Sequence, residues 1–123
     1  MTAGEAIRRS DALRPNQYST EQKLRWLETL EGQIRRELCE THETPEGEAL
    51  PEEGAVTQDT VLLAPFPYDG ELYTAFLFTQ IDLHNAEIGK YNQSAALLAS
   101  AWRQLADHVN RTRAPRGRRA LRL

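Results

Sequence analysis

Residues 20–41 read TEQKLRWLETLEGQIRRELCET, and within them Leu24, Leu27, Leu30, Ile34 and Leu38 recur at steps of three or four. That spacing is the stripe of an α-helix with one buried face. Trp26 lies beside the stripe. Glu28, Glu31, Arg35 and Arg36 fall mostly on the solvent side, where a Glu31–Arg35 pair adds a few tenths of a kcal/mol at most. Ser19 precedes the helix as an N-cap, with Gln22 three residues on to complete a capping box. A helix with one apolar face must bury it against another element, so the rest of the chain has to supply partners.

Upstream, Thr2 to Leu13 has Glu5 three residues after Thr2 and apolar Ala6, Ile7 and Leu13, the pattern of a short capped helix. Pro15 stops it, and Arg14 to Tyr18 form a turn. Downstream, Glu43 to Asp59 carries Pro45, Gly47, Pro51 and Gly54 among five glutamates and has almost nothing apolar to bury. It reads as a long exposed loop, of a kind that works at an interface. Thr60 to Ala64 are β-prone, then Pro65-Phe66-Pro67-Tyr68 interrupts, which predicts a short extended segment or small hairpin.

Asp69 is the expected N-cap of a third helix from about Glu71 to Glu87. Leu72, Phe76, Leu77, Ile81, Leu83 and Ile88 give that region an apolar majority, so it should be the central, most buried helix. Gly89 should break or bend the chain. Tyr91, Ala95, Leu98, Trp102, Leu105 and Val109 then set out a long fourth helix, and Ala95, Ala96, Ala99 and Ala101 favour helix and permit close approach of a neighbour. After Asn110 the pattern ends, and Pro115 and Gly117 take the chain out of the bundle as coil. The expected fold is all-α: a bundle of about four helices over residues 1–112, with 40–68 as an inserted acidic loop and extended segment, and 113–123 as a basic C-terminal arm.

With 123 residues, 40% apolar and 27% charged, the composition is that of one small globular domain with appendages. The net charge of -3 hides a segregation. From Glu37 to Gly89 there are twelve acids and no Lys or Arg, whereas Arg111 to Leu123 hold six Arg and no acid. Unlike charges on one chain call for unlike partners. No apolar run follows Met1 and none approaches the roughly 18 residues of a membrane span, which predicts a cytosolic protein without membrane contact. The one cysteine, Cys39, has no internal partner and reads as a small buried hydrophobe.

Catalytic signatures are weak. Cys39 and His42 have no second ligand pair at zinc spacing, so no metal is expected. Asp82, His84 and Glu87 share a helix too apolar for a dyad, and capping, interhelical hydrogen bonds or a partner contact suit them better. No nucleophile elbow surrounds Ser19, Ser94 or Ser100, no glycine-rich phosphate loop is present, and the acidic loop lacks the alternating ligands of a calcium site. The reading is a non-enzyme without cofactors. Phe76 should be core, while Phe66 and Tyr68, beside prolines outside the helices, suit an interface. Arg111, Arg113, Arg116, Arg118, Arg119 and Arg122 form a docking arm, because guanidinium offers planar bidentate recognition of carboxylate or phosphate where lysine would serve mere solubility.

The string Leu62-Leu63-Ala64-Pro65 through Pro67-Tyr68-Asp69-Gly70-Glu71-Leu72-Tyr73, followed by Ile81 to Glu87, Lys90-Tyr91-Asn92 and Asn110-Arg111-Thr112, resembles the head-tail connector proteins of long-tailed bacteriophages, also called adaptor or head-completion proteins. The similarity runs from the first helix to about Pro115. It implies a mostly helical virion protein, made in the host cytoplasm and assembled at the neck as a ring, usually of twelve copies, beneath the portal. Such a ring continues the channel through which DNA is packaged and ejected, without reading its sequence, and offers a surface to the next neck or tail-completion protein. The resemblance implies that the arm from Arg111 reaches the portal, while the acidic loop, with Glu46, Glu48, Glu52 and Glu53, serves the ring, the tail side or the channel together with Phe66 and Tyr68. Six arginines exceed the family's general pattern, so portal and DNA both stand as targets of the arm. Acids lining a channel would repel phosphate and arginines would hold it, which favours the arm against protein and the acids toward the passage. The competing reading is a small nucleic-acid-binding or regulatory helical protein that uses the same arginine-rich C-terminus.

Overall fold

The computed structural model describes residues 1–45 and 47–116. They form a small all-α bundle, as the spacing predicts. Helix α1 spans Ala3–Leu13, α2 Thr20–Ile34, α3 Asp69–His84 and α4 Ile88–Thr112, with one π-helical turn, Arg35–Cys39, extending α2. Thr2 caps α1 through a complete capping box with Glu5, and the Ser19 hydroxyl accepts from the Gln22 N–H at the start of α2.

The central helix is α3. Leu72, Tyr73, Ala75, Phe76, Leu77 and Ile81 are all buried on it, so its sides pack against α1, α2 and α4. The pairing contacts fix the directions. Met1 reaches Asp69 and Arg14 reaches Asp82, so α1 runs parallel to α3. The Tyr18 hydroxyl donates to Asn85, and Tyr73 donates to Glu31, so α2 runs antiparallel to α3. Ser94 donates to Asp82, and Tyr68 stacks on His108, so α4 does too. The bundle therefore has two poles. One carries the short turns 14–19 and 85–87; the other carries both chain ends of the described region, the long acidic loop and the Pro-Phe-Pro segment.

Several details depart from expectation. Asp69 is the first residue of α3, behind a Tyr68 N-cap that makes no side-chain bond. Its carboxylate takes the Met1 ammonium at 3.0 Å, a partner 68 residues away. The chain reverses at Asn85–Glu87, ahead of Gly89, which sits inside the first turn of α4. Ala86 adopts φ 56 there, a left-handed conformation costing a non-glycine residue roughly 1 kcal/mol. The Ala86 and Glu87 N–H groups offset it by donating to the Leu83 and Asp82 carbonyls at 3.0 Å. No hairpin forms over 60–68: Val61 bridges to Thr2, and Leu62 N–H donates to the Met1 carbonyl. Pro65 and Pro67 deny that stretch the donors a hairpin would need, and the N-terminus supplies the missing strand partner. The peptide Phe66–Pro67 is cis. Cys39 is only half-buried.

Two polar clusters hold the core together. Asp82, 1% exposed, accepts from Ser94 Oγ at 2.6 Å and pairs with Arg14, which also donates to Ser94 and lies over the Phe78 ring. The second cluster overturns the sequence reading of Glu31. Far from facing solvent it is buried at 8% exposure, where Oε1 accepts from the Leu63 N–H at 3.0 Å and from the Tyr73 hydroxyl at 2.9 Å. Tyr73 in turn accepts from the Ala64 N–H. Burial raises the Glu31 carboxyl above its ordinary value, although both hydrogen bonds favour the anion. Burial beside Glu31 also pushes the Tyr73 phenol up.

Removing the acceptor strands one buried donor, the Tyr73 hydroxyl, and one part-buried donor, the Leu63 N–H, at about 1–3 kcal/mol for the buried group and less for the other. Glu31→Ala should therefore lower unfolding free energy by about 2–4 kcal/mol in urea denaturation. Glu31→Gln keeps one oxygen for both donors and should lose far less. The pH dependence has a definite sign. Because the folded pKa lies above the unfolded one, this group's contribution is fully present below the unfolded value and is lost as pH rises through the folded value. Wild type should thus lose ground to Glu31→Gln on going from pH 5 to pH 8.

Candidate assembly surfaces

The residues singled out from sequence sort into three groups once placed on the bundle. The arm begins where α4 ends. Arg111 is exposed in its last turn, and Arg113 caps it with an N–H donated to the Val109 carbonyl. The chain then turns back along 41–44. Glu43 N–H donates to the Ala114 carbonyl at 2.8 Å, Arg116 N–H donates to the Thr41 carbonyl at 2.8 Å, and His42 bridges antiparallel to Pro115. The Arg116 guanidinium reaches the Thr44 hydroxyl at 3.5 Å. The first four residues of the arm, expected as free coil, are thus tied to the root of the acidic loop. Arg118, Arg119 and Arg122 lie outside the described residues, as does Glu46.

His42 is the reason the two roots meet. It is buried, with Nδ1 2.9 Å from both the Leu38 carbonyl and the Thr41 hydroxyl, and Nε2 2.7 Å from Asn110 Oδ1. The Asn110 Oδ1 accepts from a proton on Nε2. Burial raises the Cys39 thiol pKa despite nearby Arg113. Among the described residues no group of three His, Cys, Asp or Glu side chains could hold a metal ion. Asp82 and His84 also separate: Asp82 faces Arg14 and Ser94, while the His84 ring packs at 4.9 Å on Trp26. Glu87 pairs with Lys90 instead. The three side chains thus each take a different partner.

The acidic loop is exposed at Glu48, Glu52 and Glu53. Glu52 and Glu53 border a cleft of about 260 Å³ that also includes Glu28, Glu31 and Arg35. The loop is not wholly without an apolar anchor, because Val56 is buried and its carbonyl accepts from Arg25. One valine in a polar stretch gives no periodic signal, so this anchor escapes sequence reading.

Phe66 and Tyr68 divide as neighbours on an irregular segment can. Phe66 is 87% exposed. Tyr68 is half-buried, stacked on His108 with ring centroids 4.7 Å apart. The Tyr68 N–H donates to the Pro65 carbonyl at 2.9 Å, so a pinned turn presents the Phe66 ring to solvent. Phe76 is core as expected.

The arm root, the acidic loop and the Phe66 turn therefore share one pole of the bundle. No described helix is long and apolar enough to cross a membrane. Compared with known proteins, the chain matches no family model, no curated protein and no solved structure.

Replacing His42 by Ala removes the tie between the π-helical turn and α4. Hydrogen exchange at the Glu43 and Arg116 amides should quicken at least tenfold, while amides in the middle of α3 keep their protection.

Proposed function

We propose that this protein is a structural virion component, a head-tail connector that forms a ring beneath the portal and carries the DNA channel toward the tail. Three things support the reading: the similarity of the 62–73, 81–87, 90–92 and 110–112 strings to connector proteins, the all-α bundle they occupy, and the gathering of charged appendages at one pole. That last observation carries it. A rigid helical body with a cationic arm and an acidic loop at one end, and exposed apolar side chains elsewhere, suits a subunit held by unlike neighbours on different faces.

In this reading the pole bearing the arm faces the portal, and the arginines from Arg111 onward dock on acidic portal surface by bidentate pairing. The loop with Glu48, Glu52 and Glu53 starts at the same pole, so we assign it to the channel wall, where carboxylates keep passing phosphate from sticking. The opposite pole, with its short turns 14–19 and 85–87, is left for the downstream neck or tail-completion protein. The ring is taken as dodecameric by the same resemblance. No catalysis or cofactor enters the proposal.

Binding to isolated cognate portal rings tests it. Truncation after Arg116 leaves the 41–44 pairing intact and should weaken portal binding at least tenfold, with wild type seen as a ring on portal by electron microscopy. Undiminished binding by the truncated chain would overturn the docking role of the arm. Absent portal binding together with DNA binding that falls steeply with salt would replace the connector reading by that of a nucleic-acid-binding protein.

A further inference from the structure

Both α2 and α4 run antiparallel to α3, so they lie parallel on its surface with a furrow between them. Leu30 of α2 and Leu98, Ala99 and Trp102 of α4 form its walls, Phe76 of α3 its floor, and Arg103 its rim. The space is about 500 Å³. Leu98 and Trp102 pack against the core yet remain partly open to solvent, and Ala99 is exposed, leaving room above an apolar floor. Elsewhere on the same molecule stands a feature of the opposite shape. Phe66 projects at 87% exposure, and its turn is braced by the rings of Pro65 and Pro67, the Tyr68–Pro65 hydrogen bond, and the Ala64 N–H held by Tyr73. A turn braced this way has little backbone freedom left to lose on docking.

We propose that the furrow between α2 and α4 receives the Phe66 turn of a second copy of this chain, and that repeating this contact builds the ring. The inference rests on the connector reading for its biological setting. Charge favours this occupant. Exposed Asp59 and Glu71 lie either side of the Phe66 turn in sequence, and the furrow is rimmed by Arg103, which could pair with them. Size agrees as well, since an aromatic ring with one flanking proline fits a furrow of that volume. The knob and the furrow are different surfaces, so the contact is heterologous. An open chain of such contacts keeps one free knob at one end and one free furrow at the other until it closes on itself.

Two exposed-site variants separate the halves of the contact. Phe66→Asp should remove the knob and Ala99→Arg should fill the furrow, with melting temperatures unchanged because both positions face solvent. In sedimentation at concentrations up to the millimolar range, wild type should form higher oligomers and each variant alone should stay monomeric. An equimolar mixture has one intact knob and one intact furrow per pair, so it should form dimers and stop there. Wild type that stays monomeric, Phe66→Asp that oligomerises like wild type, or a mixture that yields no dimer would each overturn the proposal. So would oligomers that survive Phe66→Asp and vanish on truncation after Arg116, since the occupant would then be the arm. The connector reading fails separately: knob-dependent oligomers without portal binding would sink that reading alone, and rings of Phe66→Asp on portal would sink this contact alone.

Discussion

The buried carboxylate of Glu31 is the constraint on which the arrangement depends. A carboxyl group under the surface is costly unless its oxygens are hydrogen-bonded, and here they accept from the Leu63 amide and the Tyr73 hydroxyl. Those two donors come from the end of the long loop and from the central helix. One side chain on α2 thereby decides where a polar connection of nearly thirty residues must come back to the core. Once Leu63 is held, Leu62 and Ala64 fall into buried positions on either side of it. The Pro-Phe-Pro turn is then placed at the start of α3 with its aromatic ring outward.

The Asp82 cluster plays the matching role at the opposite pole. It joins α1, α3 and α4 through Arg14 and Ser94, and the neighbouring Tyr18–Asn85 hydrogen bond brings in the start of α2. Both clusters are polar junctions inside a largely apolar core. A purely apolar bundle of this size could slide by a turn with little penalty. A displaced Asp82 or Glu31 would lose its partners, so each fixes the axial register of its helices.

The helices were legible because their causes are local. The stripe from Leu24 to Leu38, the Ser19 and Thr2 caps and the apolar density from Leu72 to Ile81 depend on residues within one or two turns of each other. Phe76 in the core and Phe66 outside it were equally legible from their placement in a helix or beside prolines. What escaped depends on distant partners. Glu31 sits at a position that looks solvent-facing until Tyr73, 42 residues on, is folded against it. Asp69 looks like a helix cap until the Met1 ammonium claims it. Gly89 looks like the breaker, yet the hydrogen bonds of Ala86 and Glu87 place the reversal earlier. The arm shows the same limit: composition revealed its charge, whereas its attachment to 41–44 arises from the single buried His42.

That attachment has a mechanical consequence. Load applied to the chain beyond Arg116 does not arrive first at α4; it arrives at two backbone hydrogen bonds, Arg116 to Thr41 and Glu43 to Ala114. If these part, residues 113–116 can extend to at most about 13 Å at about 3.3 Å per residue, and the pull on the end of α4 is delayed until that reach is used. A short ribbon of this kind is a sacrificial link. It would let the terminus stretch across an uneven or moving gap while leaving the bundle and its hydrophobic contacts undisturbed.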